Sequence, residues 1–373
     1  MKKFIGTFLA LTMTNFLAPA FADIGESIVF NPATGNYLIT YDDDGSLEQI
    51  TFIPGTKINP TIKNKLKLEQ GGIVHYGYSL ISGRDSQQDI VHIILDPVSS
   101  VTTSIPDIPL SAPPGQIAVD MLNVASYFVT PRLWRASMAY TGNGTAFRIG
   151  WRTKVANGMH PGKSADFGFR SRDLPGIIQG EIYGYAPGSQ KIPGEILLNP
   201  NDGAFGQQYT ELVFRKNFVS RLVAVPTIAV QDPFDAAALL ERIQTQMHTW
   251  IAMNLLDASF SAQLDRYFQS AISAYRLNQP NVGKQQIEAL REMIRKEQPD
   301  TGRDEEHESD RSHEKNGGRQ APLIDKLAAR VLDFDLGYVT RRMDEDTHQR
   351  DKVERDAHEQ DDGEHKRTSQ IER

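Results

Sequence analysis

His160 stands four residues before Ser164 in the stretch Met159-His160-Pro161-Gly162-Lys163-Ser164-Ala165-Asp166, and a serine beside an imidazole base is the smallest pair that supports nucleophilic hydrolysis. The pair lacks the G-x-S-x-G elbow of a strand-to-helix nucleophile: Gly162-Lys163-Ser164-Ala165-Asp166 ends in Asp and follows a Pro-Gly turn. A distant acid would have to orient His160, and no oxyanion hole is legible. The plainer expectation is a polar turn between strands.

Metal chemistry has three candidate locations. His75 and His92 fall on neighbouring strand candidates, where they could face each other across a ladder, but two imidazoles need a third ligand such as Asp85 or Asp89. His307, His313, His348, His358 and His365 sit among acids and could buffer divalent ions weakly. Asp42, Asp44 and Glu48 surround Gly45 with hard oxygens that suit calcium, although Asp-Gly is equally the signal of an ion-free hairpin turn. Asn199-Pro200-Asn201-Asp202-Gly203 is a weaker version of the same pattern. No cofactor is expected apart from that calcium. Glycan recognition would use aromatic platforms, for which Tyr76, Tyr78, Trp134, Tyr140, Trp151, Tyr183 and Tyr185 are available; Tyr76/Tyr78 and Tyr183/Tyr185 each share one strand face at period two, an arrangement equally suited to a core.

The elements that must carry these residues change character along the chain. Over 23–230, short runs rich in Ile, Val, Tyr, Phe and Thr are separated by turn residues, which predicts eight to ten antiparallel strands with no helix between them. Tyr37–Tyr41 and Leu47–Ile53 flank one hairpin signal; Val74–Ile81 and Asp89–Leu95 flank another. Further strand candidates are Ala146–Thr153, Ala165–Arg170, Ile177–Tyr185 and Tyr209–Phe214, and the Pro-rich span Pro97–Pro114 reads as a long connection or an edge excursion. A two-sheet sandwich, Ig-like or jelly-roll, is favoured over a doubly wound fold.

At Asp232-Pro233 the period becomes helical. Leu239/Leu240, Ile243, Met247, Trp250/Ile251 and Leu255 make an amphipathic helix entered through that Asp and Pro; a second runs through Phe260, Leu264, Tyr267/Phe268 and Tyr275 with Ser259 as cap. Ile287, Leu290 and Ile294 carry a third, and Leu323/Ile324, Leu327, Val331, Phe334 and Tyr338 a fourth, so 233–343 is expected to pack as an antiparallel bundle.

The chain of 373 residues is 23% charged with a net charge of −7, of which 300–320 holds −3 and 344–373 holds −5, so its body is nearly neutral. Both acidic stretches are expected to be disordered, or helical only through local charge pairs. The charge gives no support for nucleic-acid binding, and zero cysteine excludes disulfides, thiolate nucleophiles and zinc-thiolate sites. Residues 1–22 have the parts of a secretory signal: Lys2 and Lys3, an apolar core from Phe4 to Leu17, and Ala20-Phe21-Ala22 as a cleavage site. That core, about 14 residues, is too short for a spanning helix. A secreted or periplasmic protein cleaved near Ala22, with no membrane span in the mature chain, is the expectation.

Two stretches carry a resemblance. The pattern Pro161-Gly162-x-Ser164, Gly168-Phe169-x-Ser171 and Leu174-Pro175-Gly176-Ile177 resembles a β domain of uncharacterised exported bacterial proteins. The region from about Phe260 to Thr340, with its late helix starting near Ala321-Pro322-Leu323-Ile324, resembles the FIMAH-type helical module of bacterial surface and extracellular proteins, the charged insertion at 300–320 lengthening one loop. These resemblances imply binding or presentation outside the cell and no catalytic residues. The expectation is therefore an exported, non-enzymatic binding or surface-interaction protein with a glycan or protein ligand on its β part and helices for docking or stabilisation. A secreted hydrolase and a structural component of a surface assembly are the alternatives.

Overall fold

The structure, a computed structural model, describes residues 25–43, 45–99, 118–120, 128–141, 146–186, 203–297, 324–346 and 348. The signal segment, the 300–320 insertion, most of the Pro-rich span, most of the acidic tail and the Asn199–Asp202 pattern lie outside the described residues. The described part has antiparallel sheets in its N-terminal portion and helices in its C-terminal portion. The chain divides into two compact units, one of residues 1–57 with 184–218 and one of 58–183 with 219–373. The change of period at Asp232-Pro233 falls inside the second.

The first unit holds a meander of β1 (Ser27–Asn31), β2 (Asn36–Asp43) and β3 (Ser46–Phe52). Alternation along β2 sends Ile39 and Tyr41 to one face, where Ile39 lies between Ile28 and Ile50 in register. That face is closed by a helix, α1 (Gly203–Thr210), which continues into a π-helical turn at Glu211–Arg215. Phe205, Tyr209 and Val213 meet Ile39, Tyr41 and Phe52 in one small core. The sequence predicts a strand over Tyr209–Phe214; the structure corrects this. The spacing of Phe205, Tyr209 and Val213 in steps of four is a helix stripe that the β-rich composition of the run concealed.

In the second unit, β4 (Pro60–Leu68), β5 (Val74–Ser82), β8 (Phe128–Val129) and β11 (Ser164–Ser171) form a sheet of order β4-β5-β11-β8. Against it lies a six-stranded sheet of order β13-β12-β6-β10-β9-β7, made from β6 (Ile90–Val98), β7 (Ala118–Asp120), β9 (Trp134–Thr141), β10 (Ala146–Thr153), β12 (Leu174–Gly184) and β13 (Val219–Ile228). Trp151 of β10, fully buried, packs edge-on against Phe167 at 5.6 Å and Tyr78 at 6.3 Å, which locks the two sheets together. Along one side the sheets are tied by side chain to backbone: Asn64 Oδ1 accepts from the Ala224 N–H at 2.9 Å, and Arg221 Nε donates to the Pro60 carbonyl at 2.7 Å. The expected hairpin of β5 and β6 does not form. Residues 83–89 carry the chain from one sheet to the other, so the strands pair with different neighbours. Pro97 belongs to β6 itself, beside a register shift against β10 that absorbs its missing donor.

The helices of this unit are α2 (Ala236–Ala252), α3 (Ala258–Arg276), α4 (Pro280–Glu297) and α5 (residues 326–346). The cap of α2 is Asp235 rather than Asp232: its carboxylate accepts from the Ala238 N–H at 3.0 Å. Asp257, not Ser259, caps α3, accepting from the Ser259 and Phe260 N–H groups at 2.8 and 3.2 Å. Ionic contacts run from α4 to α5, with Arg291 on Asp333 at 2.8 Å and Lys284 on Asp344 at 2.8 Å. One continuous apolar core extends from Tyr76 and Trp151 through Leu240 and Leu264 to Val339. The runs 174–178 and 223–226 are buried without alternation because α2 covers what would otherwise be an outer sheet face. At Gly176 a Cβ would fall 3.0 Å from Gln246 of α2 and closer still to Thr227, so that approach needs a glycine.

Candidate functional site

The turn that feeds β11 closes when the Lys163 N–H donates to the His160 carbonyl at 3.1 Å, with Gly162 supplying the left-handed residue at φ +77°. From this turn the exposed His160 ring reaches Asp89, Nδ1 lying 2.8 Å from the carboxylate. An acid 71 residues away in the chain thus orients His160, and no sequence signal marks it. Ser164 opens β11 opposite Ile81 and is exposed; among the described residues no hydrogen bond joins it to the imidazole. Base and acid are brought together and the nucleophile is not.

His75 and His92 do not face one another, because β5 and β6 belong to different sheets. Their possible third ligands are engaged elsewhere: Asp89 holds His160, and Asp85 accepts from Asn59 Nδ2 at 3.0 and 3.1 Å. No three His, Asp or Glu side chains are grouped to hold a metal among the described residues. At the calcium candidate, Asp42 Oδ1 accepts from the Gly45 N–H at 2.6 Å and closes the β2–β3 hairpin, with Gly45 at φ +88°. Glu48 is exposed and sits across the ladder from Tyr41, and Asp44 lies outside the described residues.

The aromatic candidates divide. Tyr76, Tyr78 and Trp134 are buried, so none offers a stacking face to a ligand. The hydroxyls of Tyr76 and Tyr78 donate to the Asp173 and Ala224 carbonyls, each at 2.7 Å, which satisfies their polar ends in the core. Trp134 packs edge-on against Phe167 at 5.0 Å. Tyr185 is half-buried in the first unit, and the side chain of Tyr140 lies outside the described ones.

Tyr183 takes part in the most structured polar arrangement on the outer face of the six-stranded sheet. It stacks on His92 with ring centroids 5.3 Å apart, and its hydroxyl donates to Glu181 Oε2 at 2.5 Å. Gly150 makes room for the imidazole; a Cβ there would stand 3.3 Å from His92 Nε2. Beside it Arg148 pairs with Asp96 at 2.8 Å, and Arg152 lies directly across the ladder from His92. Burial, reinforced by the Arg152 and Arg148 guanidiniums, lowers His92 from its ordinary 6.5 to about 4. That shift favours the uncharged imidazole at neutral pH. Burial and the bond to Glu181 raise the Tyr183 phenol well above its usual range, so it remains a donor.

Sequence reasoning missed two features. Asp335 on α5 is 1% exposed, and burial raises its carboxyl well above the usual carboxylate value, favouring the neutral acid. Its Oδ1 has no hydrogen-bond partner among the described residues. Its place four residues after Val331, inside the apolar stripe, was the available signal. The other feature is an apolar strip left uncovered on the meander: Val29 and Leu47 are each 54% exposed, and Val29 stands directly across from the exposed Leu38. The run Ile28-Val29-Phe30 breaks alternation, which marks it. A scan against family models and searches of curated proteins and of solved structures each return no match for this chain.

Proposed function

We propose that this chain is an exported binding or surface-interaction protein whose ligand is a protein. The observation that carries the reading is the set of exposed apolar side chains Val29, Leu38 and Leu47 on one face of a three-stranded sheet, with Phe30 exposed on the other, and edge strands β1 and β3 that have no further strand partner among the described residues. Large apolar side chains gathered on one small sheet are surface that a partner would cover, and open edges accept an added strand. Burial of Tyr76, Tyr78, Trp134 and Trp151 removes four of the seven aromatic platforms a glycan could stack on, which favours a protein over a carbohydrate. On this reading the two sheets of the second unit are a sandwich of Ig-like or jelly-roll kind, and the helices, FIMAH-like in pattern, stabilise it or dock a further partner. The test is affinity capture from cell-envelope extract with the wild type and with Val29→Lys/Leu38→Lys. A protein held by the wild type, lost with the variant and rebound once purified supports the proposal; equal capture by both overturns it.

A secreted hydrolase is the second reading, favoured by the His160–Asp89 pair at 2.8 Å, which supplies a base and its orienting acid. Hydrolysis of an activated ester that falls at least a hundredfold in both His160→Ala and Ser164→Ala would support it, and unchanged hydrolysis in Ser164→Ala would eliminate Ser164 as nucleophile.

A further inference from the structure

β9 and β10 are paired so that Arg135 lies directly opposite Arg152, and Arg152 in turn lies opposite His92 on β6. Like charges placed across a ladder repel, so they are usually separated or neutralised by a carboxylate. Neither arginine forms an ion pair among the described residues, and the same is true of Arg132, just before β9, and Lys154, just after β10. All four are exposed. Asp89, which enters the sheet at this end, is held by His160, and Asp96 is held by Arg148.

Among these cations stands Leu133, 61% exposed and at φ +71°, a conformation that L side chains rarely adopt. Its backbone is held in place from both sides. Thr153 Oγ1 donates to the Leu133 carbonyl at 2.9 Å, and the next residue, Trp134, donates its N–H to the Pro131 carbonyl at 3.1 Å while its ring is anchored against Phe167. Val155, also exposed, follows Lys154. The result is an aliphatic tip with a fixed backbone, close in the chain and the ladder to four cations that form no ion pair among the described residues.

We propose that this end of the six-stranded sheet docks on a bilayer surface rich in anionic phospholipid, with Arg132, Arg135, Arg152 and Lys154 at the phosphates and Leu133 between the headgroups. The cations call for a polyanion, and the aliphatic tip selects a lipid surface among polyanions, because a soluble acidic polymer gives Leu133 no apolar medium to enter. This surface shares no residue with the meander strip proposed for a protein ligand, and either proposal can fail without the other.

The test is co-sedimentation of the chain from Asp23 onward, so that the apolar N-terminal segment makes no contribution, with vesicles of equal parts phosphatidylglycerol and phosphatidylcholine and with phosphatidylcholine alone. Wild-type protein is expected to bind the anionic vesicles at least tenfold better and to be released by salt. Removing two cations in Arg135→Ala/Arg152→Ala should weaken binding by roughly thirtyfold, at about fivefold for each basic residue near such a surface. Leu133→Gly should weaken it several-fold while leaving the thermal midpoint equal or higher, since glycine accepts the positive φ. Equal binding to both vesicle types, or undiminished binding by the double arginine variant, overturns the proposal. Undiminished vesicle binding by Leu133→Gly, or tight binding of dextran sulfate that Leu133→Gly leaves unchanged, also overturns it by making the site a general polyanion patch.

Discussion

The two units solve the same problem, one apolar face per sheet, with opposite results. In the first, a three-stranded meander gives one face to α1 and leaves Val29, Leu38 and Leu47 of the other exposed. In the second, the two sheets share one core and α2 covers part of an outer face, so that Ile177, Ala224 and Val225 all belong to the same apolar interior as the helices. Among the described residues the second unit buries acids, whereas the buried polar side chains of the first, such as Asn217, are uncharged. Asp335 and Asp173 sit inside it, along with the Tyr76 hydroxyl that donates to the Asp173 carbonyl. A small core settles for exposed surface, and a large one can tolerate a buried acid.

The sharpest way to break this comparison is to cut one core and watch the other. Trp151→Ala should cost about 3–5 kcal/mol, because a fully buried indole at the centre of the two sheets leaves a cavity that its neighbours cannot fill. Hydrogen exchange should speed up in β5, β10 and α5 and stay unchanged in β1–β3; uniform acceleration would mean that the two units are one cooperative body.

Acid–base behaviour sharpens the contrast further, through two groups of the second unit that act in opposite directions. The folded chain keeps the Asp335 proton above pH 3.8, where unfolded aspartate releases it. The unfolded state then binds fewer protons, so stability falls as pH rises past that value, by about 1.4 kcal/mol per pH unit while one proton separates the states. His92 is the reverse: its folded value of about 4 lies below the ordinary 6.5, so the unfolded state binds more protons in that window and stability falls as pH drops through it. Where their windows overlap between pH 4 and 6.5 the two slopes oppose each other, and denaturant unfolding of the wild type should vary less with pH than that of either variant. Asp335→Asn should make stability rise with pH across this window and should stabilise the protein at pH 7. His92→Gln should make stability fall with pH. A pair of variants with the wild-type profile would remove both groups from the account.

The smallest expected effect is at a helix start. Asp235→Ala removes the side chain that accepts from the Ala238 N–H and should cost about 1 kcal/mol, read as a lower midpoint in thermal unfolding.

What could be read in the residues was local. Alternation in Tyr37–Tyr41 and Ala146–Thr153 marked strands, the stripe of Leu240, Ile243 and Met247 marked α2, and Asp42-x-x-Gly45 marked a hairpin turn, all of which the chain forms. Reading failed where two periods overlapped, as at Tyr209–Phe214, and where neighbours in sequence were sent to different sheets, as with His75 and His92. Of the candidate site, the imidazole of His160 was visible and Asp89 was not, since a carboxylate 71 residues away carries no local mark.

The sequence by itself determined which segments extend, which coil and where polar turns interrupt them, because strand and helix periods and caps depend on residues within a few positions of one another. Only the tertiary structure decided that Arg135 faces Arg152, that His160 meets Asp89, and that Asp335 is sealed inside while Leu133 and Val29 are left outside. These outcomes depend on strand register, sheet order and burial, which are set by the sum of contacts between distant parts of the chain.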